Sequence, residues 1–176
     1  MKNILLFVSL LTVPMLSACT TPTAAAQTGE TTTPANDFPE ELGIVRWGRD
    51  FEAARTASRE TGKPMFVLFD EVPGCNTVKQ FGKTVLSDPL IADAIEEAFI
   101  PVVIYNNVGG QDRTLLKSFG EPTWNNPVVR IITPDRKPLA TRFAGPYDAK
   151  SLVKNMRDGL NAVSYTHLTL PTTPYV

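Results

Sequence analysis

Two apolar rhythms alternate along residues 38–162. Continuous apolar runs, "PMFVLFD" (64–70), "FIPVVIY" (99–105) and "PVVRIIT" (127–133), read as strands buried on both faces. Between them lie stretches with helical spacing. Residues 51–61 put Phe51, Ala54 and Ala57 inward and Arg55, Arg59 and Glu60 outward, with Asp50 as N-cap and Gly62 as the stop. A second helix opens near Cys75 and is interrupted near Ser87. Asp88 and Pro89 start a third, with Leu90, Ile91, Ala94, Ile95 and Ala98 as its stripe. Asp112 caps a short helix carrying Leu115, Leu116 and Phe119. The last helix, 148–162, places Ala149, Leu152, Val153, Met156 and Leu160 on one face. "GIVRW" (43–47) adds a short first strand, and "PLATRF" (138–143) pairs with 127–133 through the turn "PDRK".

The resulting order is β-α-β-α-β-α-β-β-α. It predicts an α/β fold, a central mixed sheet with helices on both faces and an antiparallel hairpin at its edge. Cys75 then falls at the carboxyl end of a central strand and at a helix N-terminus, where such sheets place their sites.

The ends of the chain follow different rules. Residues 1–18 carry a basic Lys2, an apolar run and small residues, the pattern of a secretory signal. The run ends in Leu16-Ser17-Ala18-Cys19, which resembles the lipobox of bacterial lipoproteins. That resemblance implies cleavage before Cys19 and lipidation of its sulfur, giving a membrane anchor at the cell envelope. In a cell with an outer membrane, Thr20 in place of an aspartate resembles the pattern sent to that membrane's periplasmic face. Residues 19–37 are the lipidated cysteine and a tether almost without large apolar residues. Residues 163–176, "VSYTHLTLPTTPYV", break with the helix before them and resemble a translated sequencing adapter. They are expected to be non-native and poorly packed, and His167, the only histidine, receives no role.

Composition narrows the chemistry. The chain has 176 residues, is 43% hydrophobic and carries a net charge of -1, so nothing favours nucleic acid as a partner. It has two cysteines, and with Cys19 lipidated the one free thiol is Cys75. The body offers no zinc or haem ligand set. "NNVGGQD" (106–112) lacks the ending of a phosphate loop. The Glu96-Glu97 pair reads as a solvated face. No metal and no cofactor is expected.

"FEAARTASRETGKPMFVLF", "VLSDPLIADAIEEAFIPVVIY" and "WNNPVV", with a cysteine after the second strand, resemble the thioredoxin-like branch of exported bacterial proteins. The resemblance covers nearly the whole body. It implies a thioredoxin fold, with Pro127 as a cis-proline facing the site. The family's Cys-x-x-Cys reads Cys75-Asn76-Thr77-Val78 here, so no second thiol can resolve a mixed disulfide. Thioredoxins often keep a buried acid six residues before the first cysteine. That position is Phe69, and Asp70 should point the other way.

Cys75 therefore has two readings. The unpaired N–H groups at its helix start, with Lys79 one turn on, favour a reactive thiolate. A small inert hydrophobe is the alternative. Gly74, Asn76, Thr77, Val78 and Lys79 surround it in sequence. Trp124, Asn126 and Pro127 are the groove candidates, with Asn125 beside them. The first function is a membrane-anchored monothiol protein forming mixed disulfides with exported proteins or small thiols. The alternative is a redox-inactive binding module that keeps the groove.

Overall fold

The computed structural model describes residues 39–124 and 127–168. The signal segment, Cys19, the tether, Asn125, Asn126 and residues 169–176 lie outside them. Among the described residues the elements are a 3-10 turn (Glu40–Leu42), α1 (Phe51–Thr61), β1 (Met65–Asp70), α2 (Asn76–Phe81), a π-helical turn (Gly82–Leu86), α3 (Pro89–Ala98), β2 (Ile100–Tyr105), α4 (Gly110–Ser118), β3 (Val128–Ile132) and α5 (Ala149–Leu168).

β1 is the middle strand of a sheet ordered β2-β1-β3. It runs parallel to β2, from Met65 opposite Ile100 to Asp70 opposite Tyr105. It runs antiparallel to β3, from Met65 opposite Ile132 to Phe69 opposite Val128. All six β1 residues are buried, as its unbroken apolar run requires. Alternation divides them. Phe66 and Leu68 pack with Phe81, Leu86, Ile95, Leu152 and Met156, the face covered by α2, α3 and α5. Met65, Val67 and Phe69 pack with Phe51, Leu115 and Leu116 of α1 and α4. The mixed α/β class is the one expected for a thioredoxin-like chain.

The helix boundaries largely follow their capping residues. Asp50 Oδ1 accepts the N–H groups of Glu52 and Ala53 at 2.9 and 3.0 Å, and Gly62 closes α1 at φ +73°. Asp88 caps α3 in the same way, with Pro89 in its first turn. Asp112 does not cap α4, which starts earlier, at Gly110. Its carboxyl instead accepts from Tyr105 N–H at 3.1 Å and pairs with Arg49 at 2.6 Å. The α3 stripe is turned by one residue: Leu90 is 81% exposed, while Ile91, Ala92 and Ile95 are buried. On α5 Val153 is exposed, and Asn155 is buried with Leu152 and Met156. Asn155 Nδ2 donates to the Thr141 carbonyl at 2.7 Å. α5 also continues past the expected end at Ala162 to Leu168. No glycine or proline interrupts residues 163–168, and the next proline is Pro171.

Two expected strands are reduced to bridges. In "GIVRW" the Arg46 N–H donates to Glu96 Oε1 at 2.8 Å, and Val45 and Trp47 turn into the core. Regular pairing survives only beyond it, where Gly48 bridges Val102. "PLATRF" meets β3 through Leu139–Ile131 and a reciprocal Val129–Phe143 pair. Those contacts span four residues on one side and two on the other, so the extra residues bulge out and break the ladder.

The chain ahead of α1 is strapped across the α2 face. Ile44 N–H donates to the Leu86 carbonyl at 3.1 Å. Gly82 admits this contact: a Cβ there would lie 2.2 Å from the Glu40 carbonyl oxygen and 2.3 Å from that of Glu41. Helix propensity alone would favour Gly82→Ala by about 1 kcal/mol. The clash reverses the sign, and we expect the variant to lose roughly 2 kcal/mol of unfolding free energy in urea titrations. A gain would show that the strap is not packed on the helix.

Candidate functional site

The carboxyl end of β1 opens into a four-residue path, Glu71 to Gly74, that leads to Cys75. Each amide hydrogen on it is claimed by a side chain. Glu71 N–H donates to Asp70 Oδ1 at 3.0 Å, and Val72 N–H to Asn107 Oδ1 at 3.4 Å. Pro73 has none to give, and Gly74 N–H donates to Glu41 Oε1 at 2.9 Å. Asn107 Nδ2 returns a bond to the Val72 carbonyl at 3.2 Å. Glycine at position 74 is a matter of space: a Cβ would fall 2.3 Å from the Glu71 carbonyl oxygen and 2.8 Å from Val78 Cγ1.

Cys75 is exposed and free. It is the N-cap residue of α2, in extended conformation, with no side-chain capping bond. Its carbonyl accepts from Lys79 N–H at 3.1 Å, closing the first turn. The sulfur therefore stands at the N-terminal end of α2. Asn76 and Thr77 are exposed beside it, and Val78 is fully buried in the core. The position that carries the second thiol in the Cys-x-x-Cys pattern is thus filled by a packed hydrocarbon.

Lys79 departs from the expected role of electrostatic aid to the thiol. Its ammonium pairs with Glu40 Oε1 at 2.7 Å and lies 4.0 Å from Glu41 Oε1. The strap, not the sulfur, holds that charge.

Asp70 points to the opposite face from Phe69, as alternation requires, and that face is the one that carries α2. Phe69 does face away, its ring 5.3 Å from that of Phe119 on the α1/α4 side. By alternation Asp70 falls on the Phe66–Leu68 side, the face on which α2 lies. It is 0% exposed, and Oδ2 is a buried oxygen with no hydrogen-bond partner among the described residues. Burial pushes its pKa up to about 8. The Glu71 N–H bond opposes that rise, and the nearby Glu41 and Glu71 carboxyls add to it. Tyr147 joins Asp70 and Cys75 electrostatically: its phenol feels both, and burial raises its pKa. Its ring packs edge-on against Phe81 of α2 at 5.8 Å.

The groove residues are placed unevenly. Pro127 is buried just ahead of β3. Continuing the register Phe69–Val128 by one residue puts it beside Asp70, at the same end of the sheet as the cysteine loop. Trp124 is 81% exposed. Asn125, Asn126 and the peptide bond before Pro127 lie outside the described residues, so the expected cis bond does too. Glu41, Asn107 and Tyr147 are site residues that sequence reasoning missed. Their side chains arrive from three separate segments, and no local spacing links them to Cys75.

A single exposed cysteine at a strand-to-helix junction, over a mixed sheet with helices on both sides, defines a thiol site on an α/β scaffold. Residues 46–134, just over half of the chain, match the thioredoxin-like family, and the chain belongs to it. The fold is similar to that of the DsbH oxidoreductase, with 16% identity, TM-score 0.57, and coverage of 70% of this chain and 90% of DsbH. A thioredoxin from Thermus thermophilus gives 19% identity and TM-score 0.57, covering 72% of this chain and 98% of that one. The C-terminal domain of Neisseria meningitidis DsbD, in its oxidised form, gives 21% and 0.51, covering 65% and 99%. At these identities the similarity establishes the fold alone. No curated protein matches the chain.

The buried acid has a measurable consequence. The folded state keeps a proton on Asp70 that an unfolded chain releases near its ordinary value of 3.8. Stability contributed by this group is therefore full below about pH 4, declines as pH rises, and levels off above about 8. Between those limits the wild type should lose up to about 1.4 kcal/mol per pH unit. Asp70→Asn should remove that slope. Urea unfolding from pH 5 to 9 checks it, and parallel profiles for the two proteins would contradict the assignment.

Proposed function

We propose that this protein is a monothiol member of the thioredoxin-like family that forms mixed disulfides in extracytoplasmic thiol-disulfide exchange. The observation that carries the reading is the exposed, uncapped Cys75 at the start of α2 over a buried Val78. In the reaction the Cys75 thiolate attacks one sulfur of a partner disulfide. A new S–S bond forms, the partner's bond breaks, and its other sulfur leaves as a thiolate that takes a proton from solvent. Val78 cannot repeat the attack from inside the site. A second thiol, from a small molecule or another protein, must release the product. The partners are accordingly exported proteins or small-molecule thiols and disulfides. The lipobox-like sequence at Cys19 supports an envelope location with a lipid anchor, at the periplasmic face of the outer membrane where one exists.

A second reading is a redox-inactive binding module. The exposure of Trp124 favours it, because a large bare indole beside the Pro127 loop is suited to holding a partner.

Thiol chemistry separates the two. In a Cys19→Ser background, Cys75 should form a mixed disulfide with glutathione disulfide faster than free glutathione does at the same pH. It should nevertheless fail to turn over insulin disulfides unaided. Val78→Cys restores a second thiol one turn on, and dithiol turnover should appear. No fast mixed disulfide and no gain in Val78→Cys would leave the binding module as the better reading. For the anchor, the full chain should incorporate labelled fatty acid, and Cys19→Ser should not. Equal labelling of both would rule out lipidation at Cys19.

A further inference from the structure

The Glu40–Leu42 turn reaches the cysteine loop from outside the segment that matches the family, which begins at residue 46. Its Glu41 is almost wholly buried, with its carboxyl on the amide of Gly74, the residue directly before Cys75. A buried carboxyl is costly unless it is bonded, so this contact is held in place by what breaking it would expose. Simple electrostatics argues against an acid at this position, because a negative charge near a thiolate disfavours it. The Lys79 ammonium, held between Glu40 and Glu41, offsets that charge. What remains for Glu41 to contribute is an acceptor at a fixed point.

That point matters for the thiol. The Gly74 N–H belongs to the Pro73–Gly74 peptide, the last unit of the loop before the one that carries Cys75. The turn there is already tight against Val78 and the Glu71 carbonyl. Asn107 fixes the loop two residues earlier, and α2 fixes it from Asn76 onward. Between these two supports the Gly74–Glu41 bond secures the Pro73–Gly74 peptide, one unit ahead of the peptide that carries the cysteine. We propose that Glu41 is a positioning residue for the Cys75 thiol, holding it in line with the N-terminus of α2 through the Gly74 amide. This inference rests on the reading of Cys75 as a reactive thiol.

Glutamine separates acceptor from charge, since its amide oxygen can take the same N–H. In a Cys19→Ser background of the full chain, the rate of mixed-disulfide formation with glutathione disulfide is measured for the parent, Glu41→Gln and Glu41→Ala. Loss of the hydrogen bond in Glu41→Ala should slow the reaction about fivefold. Glu41→Gln should react at least as fast as the parent, which a requirement for charge would not allow. Equal rates for Glu41→Ala and a fast-reacting parent overturn the proposal and leave the monothiol reading standing. A Glu41→Gln variant as slow as Glu41→Ala overturns it as well. A parent no faster than glutathione itself removes the monothiol reading, and the positioning role falls with it. Where Glu41→Ala does not fold, hydrogen exchange at the Gly74 amide of the parent decides: protection above that of an open loop supports the bond, and free exchange overturns it.

Discussion

A strand buried on both faces has to return its chain to water at its carboxyl end, and β1 does so over four residues, Glu71 to Gly74. All six of its side chains are inside, including the carboxyl of Asp70. The chain must then shed the sheet's hydrogen-bond ladder and start α2 without leaving amides unpaired, since buried unpaired groups are costly. It meets that demand with acceptors from its own side chains and from outside the loop. Asp70, Asn107 and Glu41 take the three available N–H groups in succession. The loop that presents Cys75 is thus secured by polar contacts, while apolar packing holds the helix that follows.

The electrostatic balance at the thiol follows from this arrangement. Asp70 and Glu41, two buried acids, stand behind the loop, and Tyr147 lies within reach of both Asp70 and Cys75. Burial keeps Asp70 largely protonated at neutral pH, which removes one negative charge from the thiol's surroundings. Lys79 offsets the acids of the strap. Cys75 itself stands at the N-terminus of α2, with no side-chain capping bond.

Much of this was legible in the chain, and the limits have physical causes. The continuous apolar runs marked β1, β2 and β3 because strands covered on both faces are built mainly from apolar residues. Asp50, Gly62, Asp88 and Pro89 marked helix ends because their side chains or φ values suit only those positions. The acid at Asp112 misled because a capping residue and an ion-pair partner look alike until Arg49 is seen beside it. "GIVRW" misled because an alternating apolar pattern says which side chains turn inward, not what the backbone bonds to. In this case Glu96 takes an amide that a strand partner would otherwise have taken. At the site, Cys75 and the missing second thiol were visible in four residues. Glu41 and Asn107 were not, because they reach the loop from 33 and 35 residues away. Asp70 was seen, but its alternation was reckoned from Phe69 without knowing which face carries α2.

Val78 decides what this arrangement can still do. Its side chain is fully buried, touching the space a Cβ at Gly74 would need. Valine is somewhat larger than cysteine and brings no thiol, so it can fill the resolving position with close-packed hydrocarbon at little cost to the core. The substitution removes a reaction step while leaving the scaffold that presents Cys75 intact. Under the proposed monothiol chemistry, a mixed disulfide formed at this sulfur would have no internal exit and would last until an external thiol arrived. Its lifetime is then set by the concentration and access of that thiol, not by the geometry of the site. The exposure of Cys75, Asn76 and Thr77 on the outer side is what leaves such access open. On the proposed reading, the buried Val78 that rules out self-contained turnover and the exposed Cys75 together would suit the site to holding a partner.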